Sequence, residues 1–440
     1  MLLGKHLDKY YKKYFWLFAI AVVSLIAVDW IQLYIPELLG QIVDLFDDNY
    51  VPGDIIESVK IISLEVLGIS LAMLLGRVVF RITLFRASTG IGLGLRQEMF
   101  EKAERLDVEY YHNQKIGTIM SWITTDTEEI QEYFGWGTVM LVDGIFLTIL
   151  CVIKMLLLDP IISLLIFIPL VLIVIWGVLV EKLMTDRWLK RQAEFDKMYE
   201  FTQENFAGIR VIKAFVKETQ QLLRFSKIAR KNKEADINLG LLSVGLDMII
   251  EIIIALVFAL LIGFGGYAVY MTITGTELNI FGTTVSLDAP KLVEFISYFS
   301  SLIWPLIALG QVITMYSRAK ASLGRIANFL DAPEVIVDVK NAVELVNAKG
   351  KIEFKHLYFS YPGKTANYLK DITFTINPGE KIGIVGRIGS GKTTILNLIS
   401  RLYNVDEGTL FIDDIDIMKI KKFSLHENVA VVPQENFLFS

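Results

Sequence analysis

The chain reads Gly386–Arg387–Ile388–Gly389–Ser390–Gly391–Lys392–Thr393, and this stretch decides the fold of the region around it. It fits the pattern G-x-x-x-x-G-K-[S/T] at every position. The glycines let the loop curl with its backbone N–H groups pointing inward, and a following helix adds partial positive charge. Lys392 can reach the β- and γ-phosphates of a nucleotide, and the Thr393 hydroxyl can ligate Mg²⁺. The stretch therefore predicts a nucleotide-binding site.

The residues around this loop fit an α/β domain of the P-loop type. A buried strand is predicted at Ile382–Val385, before the loop, and a helix at Thr394–Leu402, after it. Two more strands are predicted at Lys351–Phe354 and Leu369–Ile376, because apolar and polar residues alternate there between turn signals. Leu410–Asp414 reads as an ordinary strand followed by a turn.

Upstream of this domain, long apolar runs replace the alternating pattern. The 440-residue chain is 53% hydrophobic, and its mean hydropathy is +0.50. A membrane-spanning helix needs roughly 20 mainly apolar residues. Six runs meet this length: Phe15–Leu39, Ile61–Leu84, Val139–Leu158, Ile161–Val180, Leu246–Tyr270 and Leu292–Met315. We assign residues 1–325 to a transmembrane domain, 326–350 to a linker and 351–440 to the N-terminal part of a nucleotide-binding domain.

Charges between the spans predict the orientation of the chain. The segments before the first span, between the second and third, and between the fourth and fifth are rich in Lys and Arg, which favours the cytoplasm. The N-terminus and the nucleotide-binding region are therefore predicted to be cytoplasmic, in a multi-pass protein of the plasma membrane. The net charge of −5 gives no sign of a nucleic-acid partner. The single cysteine, Cys151, excludes an intrachain disulfide.

The two long basic segments are predicted to be helical hairpins that project into the cytoplasm. No proline interrupts the chain between Pro52 and Pro160, and the residues between them favour helix. A helix at Ile55–Leu106 would be about 75 Å long, more than twice the hydrocarbon thickness. Turns are expected near Asp107–Gly117 and near Gly208. The fold class is thus six long helices with two cytoplasmic hairpins, followed by a partial P-loop domain.

This combination resembles the ATP-binding-cassette (ABC) exporter family of half-transporters, over essentially the whole chain. Phe359–Pro362 resembles the family's adenine-stacking segment, with Tyr361 as the aromatic platform. Val431–Gln434 resembles its Q-loop, whose glutamine approaches Mg²⁺. Glu204–Phe215 resembles its second intracellular loop, whose short coupling helix docks on the partner's nucleotide domain. Gly117 and Asp126 fall, with a looser match, where the first such loop is expected.

The resemblance implies the site residues, cofactors and partners. The implied ATP-binding residues are Tyr361, Gly386, Arg387, Ile388, Gly389, Ser390, Gly391, Lys392, Thr393, Thr394 and Gln434. Thr393 and Gln434 are the implied Mg²⁺ ligands, so ATP and Mg²⁺ are the expected cofactors. The expected partners are a second half-transporter subunit, identical or different, the lipid bilayer, and a small hydrophobic or amphipathic substrate that is exported.

One departure from the family pattern concerns hydrolysis. The given sequence stops at Ser440, and the family's signature motif, its catalytic glutamate and its switch histidine follow the Q-loop. Lys392 and Gln434 are the catalytic residues that it contains, because His426 precedes Gln434 and does not match the switch histidine. The sequence therefore predicts that these 440 residues alone hydrolyse no ATP. Two alternatives stay open: a flippase for lipids or lipid-linked molecules, and a nucleotide-binding product without hydrolysis.

Charged residues in or near the spans give the cues about the substrate. Asp29, Asp143, Lys154, Asp247 and Glu251 lie there, and such charges commonly face a bundle interior or a water-filled cavity. One hypothesis is an acidic cavity that admits cationic amphiphiles. The alternative is that these groups pair, for example Asp143 with Lys154, or reach towards the head groups. Trp304 and Pro305 in the sixth span are candidates to line the pathway.

Overall fold

A computed structural model describes residues 5–46, 52–275, 278–280, 283–285, 287–364 and 366–432. The chain forms two compact units. The helical unit comprises Tyr14–Ala87 and Gly135–Met315, and the terminal unit comprises Met1–Lys13, Ser88–Phe134 and Tyr316–Ser440. Each unit is described by itself below.

Between residues 5 and 330, the described part of the chain is almost entirely helical. Its helices are α1 (Asp8–Gln32), α2 (Tyr34–Asp44), α3 (Pro52–Arg105), α4 (Val108–Asn113), α5 (Ile116–Leu158), α6 (Pro160–Ala207), α7 (Ile209–Ala214), α8 (Glu218–Ile273) and α9 (Ala289–Leu330). A short antiparallel pair, β1 (Leu278–Ile280) and β2 (Thr283–Val285), lies between α8 and α9.

Five described helical runs are long and apolar enough to cross a membrane. They are Lys5–Asp44, Ile56–Arg105, Ile116–Leu158, Glu218–Ile273 and Ala289–Leu330. Each contains one predicted span, so five of the six predictions are confirmed. The remaining one, Ile161–Val180, lies within α6. Part of that span has side chains outside the described residues, so it stays a prediction.

The long helices begin and end where local chemistry requires it. The Asp159 carboxylate accepts the backbone N–H groups of Ile161 and Ile162, at 2.8 and 3.0 Å, at the start of α6. Pro160 occupies the first turn, where its missing N–H costs nothing. Gly208 ends α6, and α3 ends at Arg105, before the turn that leads into α4. Both predicted turns are therefore confirmed.

Helix α5 contains a feature that the sequence does not predict. Three five-residue turns have π-helical hydrogen bonding: Trp122–Asp126, Tyr133–Gly137 and Asp143–Leu147. A π turn inserts one residue into a helix and re-aims the side chains that follow. Asp126 closes the first of these turns and Asp143 opens the third, and both carboxylates are buried.

The terminal unit contains a four-stranded antiparallel sheet of order β4-β3-β5-β6. The strands are β3 (Ile352–Phe359), β4 (Leu369–Ile376), β5 (Leu410–Ile412) and β6 (Ile415–Asp416). Helices α10 (Lys392–Ile399) and α11 (Lys422–Asn428) complete the described elements. Phe354, Leu357, Leu398, Leu410 and Leu425 form the centre of its apolar core. The predicted strands at 351–354, 369–376 and 410–412 are confirmed.

The predicted strand at Ile382–Val385 is wrong for the described chain. These residues have no assigned strand and are solvent-exposed, and the Val385 side chain is 97% exposed. The physical reason is the lack of a neighbour: among the described strands, none pairs with this segment. An apolar sequence becomes a strand only when a second strand satisfies its backbone hydrogen bonds. The helix that was expected at Thr394–Leu402 begins earlier, at Lys392, and ends earlier, at Ile399.

Candidate nucleotide-binding site

The backbone of the loop before α10 requires glycine at defined positions. Gly389 and Gly391 have φ angles of 82° and 90°, a region that favours glycine. A Cβ atom on Gly391 would lie 2.6 Å from Leu369 Cδ2. A Cβ atom on Gly386 would lie 2.6 Å from the Ser390 Oγ atom. The glycines thus permit both the curl of the loop and its close contacts.

Lys392 is the first residue of α10 and folds back over the loop. Its Nζ atom donates to the backbone oxygens of Gly386, at 3.0 Å, and Arg387, at 2.9 Å. Gly391, the N-cap residue directly before the helix, gives no capping hydrogen bond from a side chain. The first N–H groups of a helix lack intrahelical partners and carry partial positive charge. The Lys392 ammonium group and the N-terminus of α10 together form a cationic cradle that fits the phosphates of a nucleotide.

The loop is accessible to a ligand. Gly386, Arg387, Ile388, Gly389 and Ser390 are all solvent-exposed, whereas Thr394, one turn into the helix, is buried. Thr393, in the first turn of α10, is also solvent-exposed. A Thr hydroxyl at this position can ligate Mg²⁺ that also binds nucleotide phosphates. The described residues therefore fit Mg²⁺–nucleotide chemistry.

Tyr361 lies beside this cradle. Its hydroxyl shares a hydrogen bond of 2.9 Å with Thr394 Oγ1. Its ring makes edge contacts with the rings of Phe359, Tyr368 and Tyr403, at centroid distances of 5.0, 5.1 and 5.1 Å. The structure thus brings Tyr361 together with the loop residues. Gln434, the other residue implied outside the loop, lies outside the described residues, and its role stays a prediction.

Two residues next to this site were missed by sequence reasoning. Tyr403 packs on Tyr361, and its hydroxyl is hydrogen-bonded to His112 Nδ1 at 3.0 Å. His112 lies in α4, 291 residues away along the chain. Nothing in local sequence links the two positions. The available signal was the aromatic residue in Leu402–Tyr403–Asn404, directly after the predicted helix.

Comparison with family models covers both regions of the chain. The model described as "ABC transporter transmembrane region" matches residues 18–306, well over half of the chain. The model described as "ABC transporter" matches residues 369–440, which include the glycine loop. The chain belongs to the ABC transporter family. This ABC transporter chain carries its membrane region before its nucleotide-binding region, as the sequence predicted, and it is a multi-pass, ATP-binding membrane protein.

Similar proteins align along the whole ABC transporter chain. The chain is 28% identical to the multidrug resistance-like ATP-binding protein MdlA of Escherichia coli, over 100% of this chain and 72% of that protein. It is 26% identical to the probable multidrug resistance ABC transporter ATP-binding/permease protein YheI of Bacillus subtilis, over 99% and 72%. The putative ABC transporter ATP-binding protein exp8 of Streptococcus pneumoniae is 29% identical, over 99% and 71%.

The helical unit of this ABC transporter contains a cavity of about 490 Å³. Helices α1, α3, α5 and α9 contribute its walls. The chemically distinctive lining residues are Asp29, Arg77, Arg81, Trp136, Asp143 and Trp304. Apolar side chains such as Leu25 and Phe80 complete it. Trp304, a candidate pathway residue from sequence, thus lines the cavity.

The two aspartates of the cavity are deeply buried. Asp29 is 3% exposed and Asp143 is 9% exposed. Asp143 Oδ2 accepts a hydrogen bond from Trp304 Nε1 at 3.2 Å. Asp29 Oδ2 and Asp143 Oδ1 have no hydrogen-bond partner within the part of the chain that the structure describes. Buried carboxylate oxygens without partners are costly, and a ligand with N–H or O–H donors could satisfy them.

The remaining membrane charges are placed elsewhere. Lys154 Nζ pairs with Glu37 Oε1, so the considered pairing of Lys154 with Asp143 is wrong. Tyr298 donates to the same Glu37 oxygen at 3.3 Å. Asp247 and Glu251 are exposed on α8 and do not line the cavity. The acidic pair of the cavity is therefore Asp29 and Asp143.

Proposed function

We propose that this chain is one subunit of a dimeric ABC exporter that uses ATP to move a small amphipathic cation out of the cytoplasm. The single observation that carries the ATP-driven part is the glycine cradle under the Lys392 ammonium group. The similarity to proteins named as multidrug-resistance transporters supports an exporter. In this proposal residues 1–325 form the membrane domain, 326–350 the linker and 351–440 the nucleotide-binding region.

Each residue of the nucleotide site has a defined task in this proposal. Tyr361 stacks on the adenine, and the backbone N–H groups of 386–391 surround the phosphates. Lys392 binds the β- and γ-phosphates. Thr393 and Gln434 hold Mg²⁺, which would neutralise charge on the phosphates when bound. Thr394 positions the Tyr361 hydroxyl by their shared hydrogen bond.

The second subunit is expected to dock on the exposed second cytoplasmic hairpin. Helix α7 and its flanks leave several large apolar side chains in solvent, namely Phe206, Val211, Phe215 and Val216. An exposed apolar patch of this kind is typical of a protein–protein interface. The nucleotide domain of a second copy or of a related chain would cover it. Closure of paired nucleotide domains would then reach the membrane helices through α6 and α8, which α7 separates.

The orientation in this proposal places the N-terminus, α4, α7 and the nucleotide site in the cytoplasm, within the plasma membrane. The basic composition of the segments around α4 and α7 supports it. An exporter needs this arrangement, because ATP is taken from the cytoplasm and the substrate leaves on the opposite side.

The cavity supports a cationic substrate. Asp29 and Asp143 offer unpartnered oxygens that a protonated amine can satisfy with both charge and N–H donors. Trp136 and Trp304 offer ring faces that attract cations. Arg77 and Arg81 also line the cavity, and their guanidinium groups oppose a cationic ligand, so the proposal rests on the two buried aspartates.

ATP binding is tested with the purified 440-residue chain in lipid nanodiscs and a fluorescent trinitrophenyl-ATP. Lys392→Ala is expected to weaken binding by at least about tenfold, because a charge-assisted contact to phosphate is lost. Lys340→Ala, an exposed lysine outside the loop, is the matched control and should bind like the unmodified chain. Equal binding by the Lys392→Ala chain would remove the basis of the proposal.

The substrate class is tested with two dyes on one xanthene scaffold, cationic rhodamine 123 and anionic fluorescein. Fluorescence anisotropy should show rhodamine 123 binding that Asp29→Asn or Asp143→Asn weakens by about fivefold or more. Asp247→Asn, an exposed carboxylate outside the cavity, is the control and should change nothing. Preference for fluorescein, or insensitivity to both aspartates, would contradict a cationic substrate. Binding of neither dye, with rapid movement of a labelled phospholipid between leaflets, would favour a flippase.

A further inference from the structure

Helix α4, which follows α3, is tied to the long helices by its aromatic residues. Tyr111 donates its hydroxyl hydrogen to the Ala103 carbonyl oxygen of α3, at 2.5 Å. The Tyr110 ring packs edge-on against Phe329 of α9, at 5.8 Å between centroids. Any displacement of the cytoplasmic ends of α3 and α9 therefore carries α4 with it.

The next residue of α4 contacts the nucleotide-binding region of the same chain. His112 Nδ1 is hydrogen-bonded to the hydroxyl of Tyr403 at 3.0 Å. The Tyr403 side chain is otherwise enclosed, since the residue is only 4% exposed. Its ring meets the Tyr361 ring nearly perpendicularly, with a centroid distance of 5.1 Å and an interplanar angle of 86°. One side chain thus joins α4 to the residue beside the phosphate loop.

Tyr361 is held at two points. Tyr403 packs against its ring, and Thr394 of α10 binds its hydroxyl. Edge-to-face aromatic pairs have a preferred geometry, so a shift of one ring changes the place of the other. The position of Tyr361 relative to α10 is therefore set in part by the place of Tyr403.

We infer that Tyr403 and His112 are positioning residues for adenine recognition, which link the Tyr361 platform to α4 within a single chain. The inference rests on the proposed role of Tyr361 as the platform for the adenine of ATP. In the chain of contacts, movement of the membrane helices reaches the base through α4, His112, Tyr403 and Tyr361 in that order. These residues affect binding of the adenine base, whereas the phosphate loop binds the phosphates.

The hydroxyl of Tyr403 is the group that joins the nucleotide-binding region to α4. Burial raises the pKa of Tyr403, with further contributions from Tyr361 and Glu109, so its hydroxyl keeps its proton. The hydroxyl can donate to an unprotonated Nδ1 atom or accept from an Nδ1–H group, so either tautomer of the imidazole keeps the contact.

A role in adenine recognition can be distinguished from a merely structural role by comparing two ligands. ATP has a base, and inorganic tripolyphosphate has none. Calorimetric titration of the full chain in nanodiscs measures both. Tyr403→Phe removes one oxygen and keeps the ring, and His112→Ala removes the partner. Each is expected to weaken ATP binding by about 3- to 10-fold, the effect of one net hydrogen bond, and to leave tripolyphosphate binding unchanged. His112→Asn, which keeps a hydrogen-bonding side chain, should restore part of the ATP affinity.

The controls distinguish a failure of this inference from a failure of the proposed function. Tyr358→Phe alters an exposed tyrosine on β3 and should change neither ligand. Tyr361→Ala should weaken ATP and spare tripolyphosphate. If Tyr361→Ala weakens ATP binding while Tyr403→Phe and His112→Ala bind ATP normally, the inference is overturned, and the adenine-stacking role of Tyr361 is retained. If Tyr361→Ala leaves ATP binding intact, the platform itself is wrong. Equal weakening of both ligands by Tyr403→Phe would show a general structural defect and would overturn the inference.

Discussion

Asp126 accepts two hydrogen bonds from the guanidinium group of Arg325, at 2.7 Å from Nε and 2.6 Å from Nη2, and so ties α5 to α9. The hydroxyl of Ser322 adds a third bond to the same carboxylate, at 3.0 Å. Asp126 is 6% exposed, whereas the Arg325 side chain is 47% exposed. The carboxylate, which closes a π turn, is therefore the member of the pair that depends on its partner.

This difference in exposure predicts that substitution of Arg325 and substitution of Asp126 destabilise the chain unequally. Arg325→Ala leaves a buried carboxylate with one neutral donor and should destabilise the chain by about 3 kcal/mol. Asp126→Asn leaves a guanidinium group that can still reach water, so its cost should be smaller, about 1–2 kcal/mol. Thermal unfolding in nanodiscs, followed by tryptophan fluorescence, measures both.

The neighbouring pair of Arg318 and Glu129 supplies the control, because it is more exposed and makes a single contact of 3.1 Å. Arg318→Ala should cost less than about 1 kcal/mol. If Arg318→Ala and Arg325→Ala destabilise the chain equally, burial of Asp126 is not what makes the pair of Arg325 and Asp126 stabilising.

The glycine loop predicts a contrast between two glycine substitutions. Gly391→Ala forces a methyl group into a backbone with φ of 90° and within 2.6 Å of Leu369. The loop must change shape, so trinitrophenyl-ATP binding should fall by tenfold or more. Gly383→Ala, eight residues earlier, has open space and no left-handed φ, and should bind normally. Normal binding by the Gly391→Ala chain would contradict the required curl of the loop.

The proposed orientation predicts a pattern of cysteine labelling. In a Cys151→Ser background, Asp44→Cys lies at the end of α2 and Lys213→Cys lies in α7, both exposed. A membrane-impermeant maleimide added to intact cells should label Asp44→Cys and not Lys213→Cys, until the membrane is permeabilised. Labelling of Lys213→Cys in intact cells would reverse the orientation.

Much of the helical architecture could be predicted because it follows from length and composition. The prediction of Ile55–Leu106 lies within three residues of the observed helix at both ends, since proline-free, helix-favouring sequence leaves few alternatives. The glycine loop could also be predicted, because its geometry depends on residue types at fixed spacing. Both results rest on local chemistry.

What could not be predicted depends on contacts between distant residues. Glu37, and not Asp143, pairs with Lys154, and their separation of 117 residues gives the sequence no sign of it. The three π turns of α5 lie in a helix whose local sequence gives no sign of them. The segment 382–385 has the composition of a strand, but composition does not supply the neighbouring strand that it needs.

Asp413 predicts how stability depends on pH. Its carboxylate accepts the backbone N–H groups of Lys349, Gly350 and Lys351 at 2.6–3.1 Å. Burial raises the pKa of Asp413, but the three N–H groups and the charge of Lys349 outweigh it, so the pKa lies below its ordinary value. A lowered pKa stabilises the fold above the unfolded-state pKa, near 4, and that stability disappears as pH falls through the folded-state value. Asp413→Asn should therefore cost about 1 kcal/mol at pH 7, discounted for partial exposure.

Thermal unfolding of both chains between pH 7 and pH 3 measures this dependence. The gap between the unmodified chain and Asp413→Asn should be constant above about pH 5 and narrow below it, because the carboxyl group becomes neutral in both states. Asp414→Asn is the matched control: it pairs with Lys351 through a side chain that is 72% exposed, so its substitution should change stability little at any pH. A gap that widens in acid would mean that the three backbone N–H groups do not stabilise the charged form of Asp413.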